Sequence, residues 1–235
     1  MVKAIYAAAR SLESKMRNTE IVATNLANVN SVGFKRQLPF SEILNRESEK
    51  PFKQLSDFSD GYSVATNNSM DVAIEGSALF VVKDDKGTHL TRDGRFKISE
   101  DGYLETATHQ KVQGGKGEIN LYDALLDKDK AVTISKNGEI RLGETYIDTL
   151  IMGKITSQEN IIRDSKQGFT FEKGSFEPAD IDDYKLSQGY IEESNVNPIL
   201  EMESMINLNK DYEAAQKVIG YFDASLGKAS EVGRL

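Results

Sequence analysis

The sequence predicts an α+β protein: discontinuous terminal α-helices that pair as a coiled coil, with a central irregular antiparallel all-β domain between them. Two observations carry this. Near the N-terminus Ile5, Ala9, Leu12, Met16, Thr19, Ala23 and Leu26 recur at alternating spacings of four and three, and near the C-terminus Met205, Leu208, Tyr212, Ala215, Ile219, Phe222 and Leu226 do the same. That spacing returns every side chain to one helix face, the seam of a coiled coil. From about Met70 the apolar period changes to two, with short runs separated by turn dipeptides.

The first helix is expected from about Lys3 to Asn28, roughly 35–40 Å at 1.5 Å per residue. Its interior holds alanines and straight-chain residues without glycine or proline, and Asn28, Asn30 and Gly33 supply stop signals. Residues 37–65 read as an extended connector, because Pro39 and Pro51 exclude a continuous helix and charges between Glu42 and Lys53 favour solvent. A short amphipathic piece around Phe40–Leu44 is the one element expected there.

The β domain is expected over 66–185. Its strand candidates include Val72–Ile74, Leu79–Val82, Thr88–Arg92, Arg95–Ser99, Tyr103–Thr106, Val132–Ser135, Glu139–Leu142, Leu150–Ile155 and Phe169–Glu172. Turns are expected at Asp84–Gly87, Asp93-Gly94, Asp101-Gly102 and Asn137-Gly138, where Asn or Asp tolerates positive φ and glycine occupies it at no steric cost.

For the last helix Asn197 is the expected cap, Pro198 the first helical residue, Glu201 the acid near the positive end of the dipole, and Gly227 the terminator. The terminal helical assembly domain thus comprises 1–36 with 186–235.

Charge is split between the ends. Residues 1–36 hold six basic and two acidic side chains (+4), whereas 186–235 hold four basic and eight acidic ones (−4), within a net charge of −8. Opposite signs favour pairing of the two helices over self-pairing of either, although ordinary surface charge gives the same count. An acidic body argues against nucleic acid as a partner. No apolar run approaches the ~18 residues of a membrane span, and Arg10, Glu13, Lys15 and Arg17 interrupt any cleaved-signal pattern.

Chemistry finds little support. Cysteine is absent, His89 and His109 lack a second ligand at helical or hairpin spacing, and Gly114-Gly115-Lys116-Gly117 fails the phosphate-loop pattern after its lysine. Asp180, Asp182 and Asp183 lack the glycine and twelfth-position glutamate of a calcium loop. No enzyme, cofactor, metal or small-molecule substrate is therefore expected.

Specific strings add a resemblance. Asn25-Leu26-Ala27-Asn28-Val29-Asn30-Ser31-Val32-Gly33-Phe34-Lys35 resembles the N-terminal signature of bacterial flagellar rod and hook proteins, with Ser31 in place of threonine. Met70-Asp71-Val72-Ala73-Ile74-Glu75-Gly76, Thr91-Arg92-Asp93-Gly94 with Phe96, and Asp101-Gly102-Tyr103-Leu104 are similar to its central segments. Gly189-Tyr190-Ile191-Glu192, Ser194-Asn195-Val196-Asn197, and Met205-Ile206 with Tyr212-Glu213 are similar to its C-terminal signature, with Lys210-Asp211 where Arg-Ala is usual. Departures also occur at Arg10-Ser11-Leu12 and at Ser77-Ala78.

The resemblance implies an axial structural subunit of the flagellar basal-body rod in the periplasmic space. It implies export by the flagellar type III apparatus without a cleaved signal, and partners that are further copies and neighbouring rod proteins. The assembly interface would be Ile5, Leu12, Met16, Leu26, Met205, Leu208, Tyr212, Ile219, Phe222 and Leu226. Leu226-Gly227-Lys228-Ala229 and Val232-Gly233-Arg234-Leu235 look more like the proximal than the distal rod type. A coiled-coil-dimerised β binding module or adhesin is the competing class.

Overall fold

A computed structural model describes residues 2–38, 55–126, 130–156, 161–163, 168–171 and 176–232. The expected piece at Phe40–Leu44 and most of the connector lie outside these residues. The described chain divides into two compact units. One is built on 2–29, 37–38 and 196–232, the other on 30–36 and the described residues between 55 and 195.

The helical unit contains α1 (Val2–Ala27) and, at the far end of the chain, a 35-residue helix over Pro198–Val232. They pack against one another. The start of the long helix follows from its sequence. Asn197 Oδ1 accepts hydrogen bonds from the backbone N–H groups of Ile199 at 3.0 Å and Leu200 at 3.3 Å, satisfying donors that have no partner within the first turn.

Its end differs from expectation, because the helix runs through Gly220 and Gly227 to Val232. Glycine lowers helix propensity by about 1 kcal/mol but ends a helix only when it adopts a left-handed conformation, and Gly227 does not.

Along the C-terminal helix Met205, Leu208, Tyr212, Ala215, Ile219 and Phe222 are half-buried, and every other position from 206 to 221 is exposed. The seven-residue rhythm there coincides with burial. In α1 it does not. Lys15, Asn18, Val22 and Asn25 form the covered stripe, one residue N-terminal to the apolar positions Met16, Thr19, Ala23 and Leu26. Met16 is 51% exposed and Ala9 and Ala23 are exposed, whereas Leu12, Thr19 and Leu26 flank the stripe half-buried. Polar groups hold this face. Lys15 Nζ lies 2.5 Å from Asp211 Oδ2, and Asn25 is fully buried through bonds to main chain described below.

The β body begins with β1 (Ser63–Ala65), β2 (Val72–Gly76), β3 (Ala78–Asp84) and β4 (Gly87–Thr91). It continues with β5 (Phe96–Ile98), β6 (Leu104–Thr106), β7 (Lys111–Gly114) and β8 (Gly117–Glu118), then a short helix α2 (Tyr122–Leu126). Next come β9 (Val132–Ile134), β10 (Glu139–Leu142), β11 (Thr145–Thr149) and β12 (Met152–Ile155). The last strands are β13 (Ile161–Arg163), β14 (Gly168–Phe171), β15 (Phe176–Pro178), β16 (Tyr184–Gln188) and β17 (Tyr190–Glu192), and the long C-terminal helix is α3.

All pairings of these strands are antiparallel. The main sheet runs β13-β14-β4-β3-β7-β6-β5, with β12 and β15 added at β3 and β8 at β7. Strand β3 organises it. One edge meets β4 over Phe80–Asp84, and the other is shared by β12 at Ala78–Phe80 and β7 at Val82–Lys83. Its continuous apolar run is explained by burial on both faces. Ala78, Phe80 and Val82 enter the larger core with Val72, Ile74, Leu104, Ile140 and Leu186, while Leu79 and Val81 enter a second core with Leu90, Ile161 and Phe169.

The expected turns divide by mechanism. Gly87, Gly102 and Gly138 have positive φ. Gly94 does not, and a Cβ there would lie 1.8 Å from the Val72 carbonyl oxygen, so that glycine serves close approach of main chain. Strands absent from the sequence-based expectation include β8 and β13, which are two and three residues long. Strands β16 and β17 fall at the segment expected to begin the helical domain, and they pair with β2 and β1 within the body.

Candidate functional site

Three of the quoted strings meet inside the β body around one carboxylate. Glu192 ends β17 and is 1% exposed. Its Oε1 accepts hydrogen bonds from Lys35 Nζ at 2.5 Å and from the Gly61 backbone N–H at 2.8 Å, and its Oε2 accepts one from Arg92 Nη1 at 3.0 Å. Lys35 and Arg92 are both 0% exposed. Lys35 Nζ also donates to the Ser59 carbonyl at 2.6 Å. Arg92 donates to the carbonyls of Ile74 and Gly76 and approaches the half-exposed Asp60 carboxylate at 3.4 Å. Two cations therefore share one buried anion, with Asp60 at the rim.

Electrostatics of this kind is costly to assemble and costly to break. Burial, then the Arg92 charge, lowers the pKa of Lys35, and Glu192 and Asp60 oppose that shift. Taking one ion out of water costs several kcal/mol, which a partner repays only with good geometry and satisfied hydrogen bonds.

The neighbouring motif residues align the cluster. Gly33 has φ +66°, its N–H donates to the Glu192 carbonyl at 2.7 Å, and a Cβ there would lie 2.5 Å from the Arg92 carbonyl carbon. Only glycine fits that contact and that φ. Phe34 is buried beneath the Arg163 guanidinium, 3.8 Å from its ring centroid, and Arg163 Nη1 donates to the Lys35 carbonyl at 3.0 Å. Burial lowers the Arg163 pKa to about 10. Asn195 completes the join. Its Oδ1 accepts from Arg36 N–H at 2.7 Å, and its Nδ2 donates to the carbonyls of Asp57 at 2.9 Å and Ser59 at 3.0 Å. The two segments by which the chain leaves and re-enters the body are thus fastened side by side.

In the helical unit Asn25 imitates a strand. Its Nδ2 donates to the Gln37 carbonyl at 2.9 Å while its Oδ1 accepts from the Gln37 N–H at 2.8 Å, all buried. Asn28 Nδ2 donates to the Thr24 carbonyl at 2.8 Å at the end of α1. Leu26 is half-buried and Ala27 exposed; Ser194 and Val196 are buried, and Asn197 caps α3. Of the expected interface residues, Leu12, Met205, Leu208, Tyr212, Ile219 and Phe222 share the half-buried class and Met16 is exposed. The side chains of Ile5 and Leu226 lie outside the described residues.

Arg92, Glu192, Asp60 and Arg163 were not singled out as site residues from the sequence. Lys35 and Glu192 are 157 residues apart, and as isolated letters both read as surface charge. The available signal was the position of Arg92 directly after the buried strand β4.

Terminal helices that pack on one another and an antiparallel β body between them in sequence make this an α+β protein. The sequence matches two family models, the C-terminal region of the flagellar basal body rod FlgEFG proteins over residues 187–232 and the D1 domain of the flagellar hook proteins FlgE/F/G over 73–142. In both regions the chain is similar to flagellar rod proteins.

It is 29% identical to the flagellar basal-body rod protein FlgF of Mesorhizobium japonicum, over 91% of this chain and 90% of the relative. It is 27% identical to FlgF of Caulobacter vibrioides, over 93% of each. It is also 29% identical to the rod protein FlgG of Buchnera aphidicola subsp. Baizongia pistaciae, over 98% of this chain and 99% of the relative.

Proposed function

We propose that this chain is a structural subunit of the bacterial flagellar basal-body rod, of proximal type, which polymerises through its terminal helices into the axial drive shaft. It acts without enzymatic chemistry or a cofactor. Its partners are further copies and neighbouring rod proteins, and it reaches the basal body through the flagellar export apparatus. Among the described residues no helix is long and apolar enough to cross a membrane.

The observation that carries this reading is the long α3 stripe. Met205, Leu208, Tyr212, Ala215, Ile219 and Phe222 are only half-covered within the chain, and Ile199, Met202 and Ile206 stand 46–71% exposed beside it. Such a helix has apolar surface left for neighbours. Coiled-coil contacts between α1 and α3 within a subunit, and heterologous contacts between subunits, would build an open tube rather than a closed ring. A distal-type subunit is the second reading.

Leu12→Asp and Ile219→Asp test the interface. Each should block rod assembly and motility in cells while leaving the β-sheet signal of the purified protein unchanged. Normal rods in both variants would refute the role given to these residues.

A further inference from the structure

We infer that residues 184–195 are a clasp that closes the β body last, so that the corner around Lys35 and Arg92 stays open until the C-terminal strands dock. This goes beyond the rod assignment and does not depend on it.

Three observations carry it. The main sheet contains local hairpins beside its longer-range ladders: β3 and β4 are joined through a four-residue turn and pair from Phe80↔Thr91 to Asp84↔Gly87, and β5 and β6 pair across Asp101-Gly102. Such hairpins close small loops and form early. The other corner has no such option. β1 pairs with β17, and β2 pairs along its whole length with β16, from Val72↔Gln188 to Gly76↔Tyr184. Without 184–195, the ladders of both strands lose these partners, and Leu186 is missing from the core around Val72 and Ile74.

Charge gives the second reason. Among the described residues Glu192 is the fully buried carboxylate that meets both Lys35 and Arg92, at sequence separations of 157 and 100. Asp60 has 46% of its side chain exposed and meets Arg92 at 3.4 Å. Burying Lys35 and Arg92 ahead of Glu192 would strand two cations in a low-dielectric interior, so desolvation of this corner must wait for β17.

The third reason is geometric. Gly33 and Gly61 both donate backbone N–H groups to Glu192, at 2.7 Å and 2.8 Å, so the exit segment 33–36 and the approach to β1 are ordered by the same residue. One late event therefore sets the two chain crossings together. A chain that lacks residue 192 keeps its two crossings separate.

Hydrogen exchange on the full chain tests the clasp. Under mildly destabilising conditions, amides of Gly33, Gly61, β2 and β16 should exchange as one group, about ten-fold or more faster than those of β3 and β4. During refolding the same group should gain protection after β3–β4. Glu192→Gln and, independently, Leu186→Ala should accelerate exchange of that group and, during refolding, delay its protection while leaving the rate at which β3–β4 gains protection unchanged; if Glu192→Gln does not fold, Leu186→Ala alone gives the reading. A single common rate for both groups, or protection of β2 and β16 before β3–β4, would overturn the inference.

Discussion

Replacing Glu192 by glutamine should destabilise the body far more than replacing its partner Lys35 by methionine. The glutamine keeps the shape of the side chain, but Lys35 and Arg92, both 0% exposed, then face no buried negative charge. Its amide N–H2 also points donors at groups that are themselves donors, at positions where Lys35 Nζ, Gly61 N–H and Arg92 Nη1 now stand 2.5, 2.8 and 3.0 Å from carboxylate oxygens. Leaving charge uncompensated in a protein interior costs about 3–5 kcal/mol.

The methionine has a different balance. Glu192 keeps Arg92 and Gly61, and the cost of burying the ammonium, the largest influence on Lys35, disappears. Its net effect should be within about 1 kcal/mol of zero. For a chain of this size each kcal/mol moves the midpoint by roughly 2–4 °C, so Glu192→Gln should lower Tm by about 6–20 °C. Far-UV circular dichroism of the sheet in thermal and denaturant melts measures both. Equal losses in the two variants, or a loss below about 1 kcal/mol for Glu192→Gln, would refute the charge accounting.

Two further outcomes follow from the same geometry. Because the folded pKa of Lys35 is lowered from 10.5, the unfolded chain binds more protons between the lowered value and 10.5, and stability should rise with pH through that window. Its slope can reach about 1.4 kcal/mol per pH unit; denaturant melts at stepped alkaline pH should show the rise in the native chain and lose it in Lys35→Met. Asn25→Ala should destabilise the end of α1 by about 2–3 kcal/mol, since two hydrogen bonds go and the Gln37 main-chain groups lose their partners. Faster proteolysis between Asn25 and Gln37 would register it, and an unchanged cleavage rate would contradict it.

The sequence was most legible where apolar letters do the folding. Leu79–Val82 announced a strand, which the structure buries on both faces, Asn197-Pro198 announced a helix start, and the heptads of α3 coincide with its half-buried stripe. It was least legible where polar letters are buried. A periodicity count treats Asn18 and Asn25 as solvent positions, so the covered stripe of α1 lies one residue away from the apolar one. Only the Gln37 main chain, twelve residues on, makes Asn25 an interior residue.

The charge cluster was hidden for a related reason. Nothing local distinguishes a lysine or glutamate at 0–1% exposure from one in water, and the partners are brought together by pairings over more than a hundred residues. The strings carrying the family resemblance contain Gly33, Phe34, Lys35, Arg92, Glu192 and Asn195, and the structure supplies their common physical reason: they fasten the two chain crossings of the body.

The central claim, that this chain is a rod subunit, is tested most directly by immunogold electron microscopy of purified basal bodies with antibody against the β body. Gold confined to the rod is the expected result. Label on the hook or filament, or basal bodies without label while the protein is present elsewhere in the cell, would contradict it.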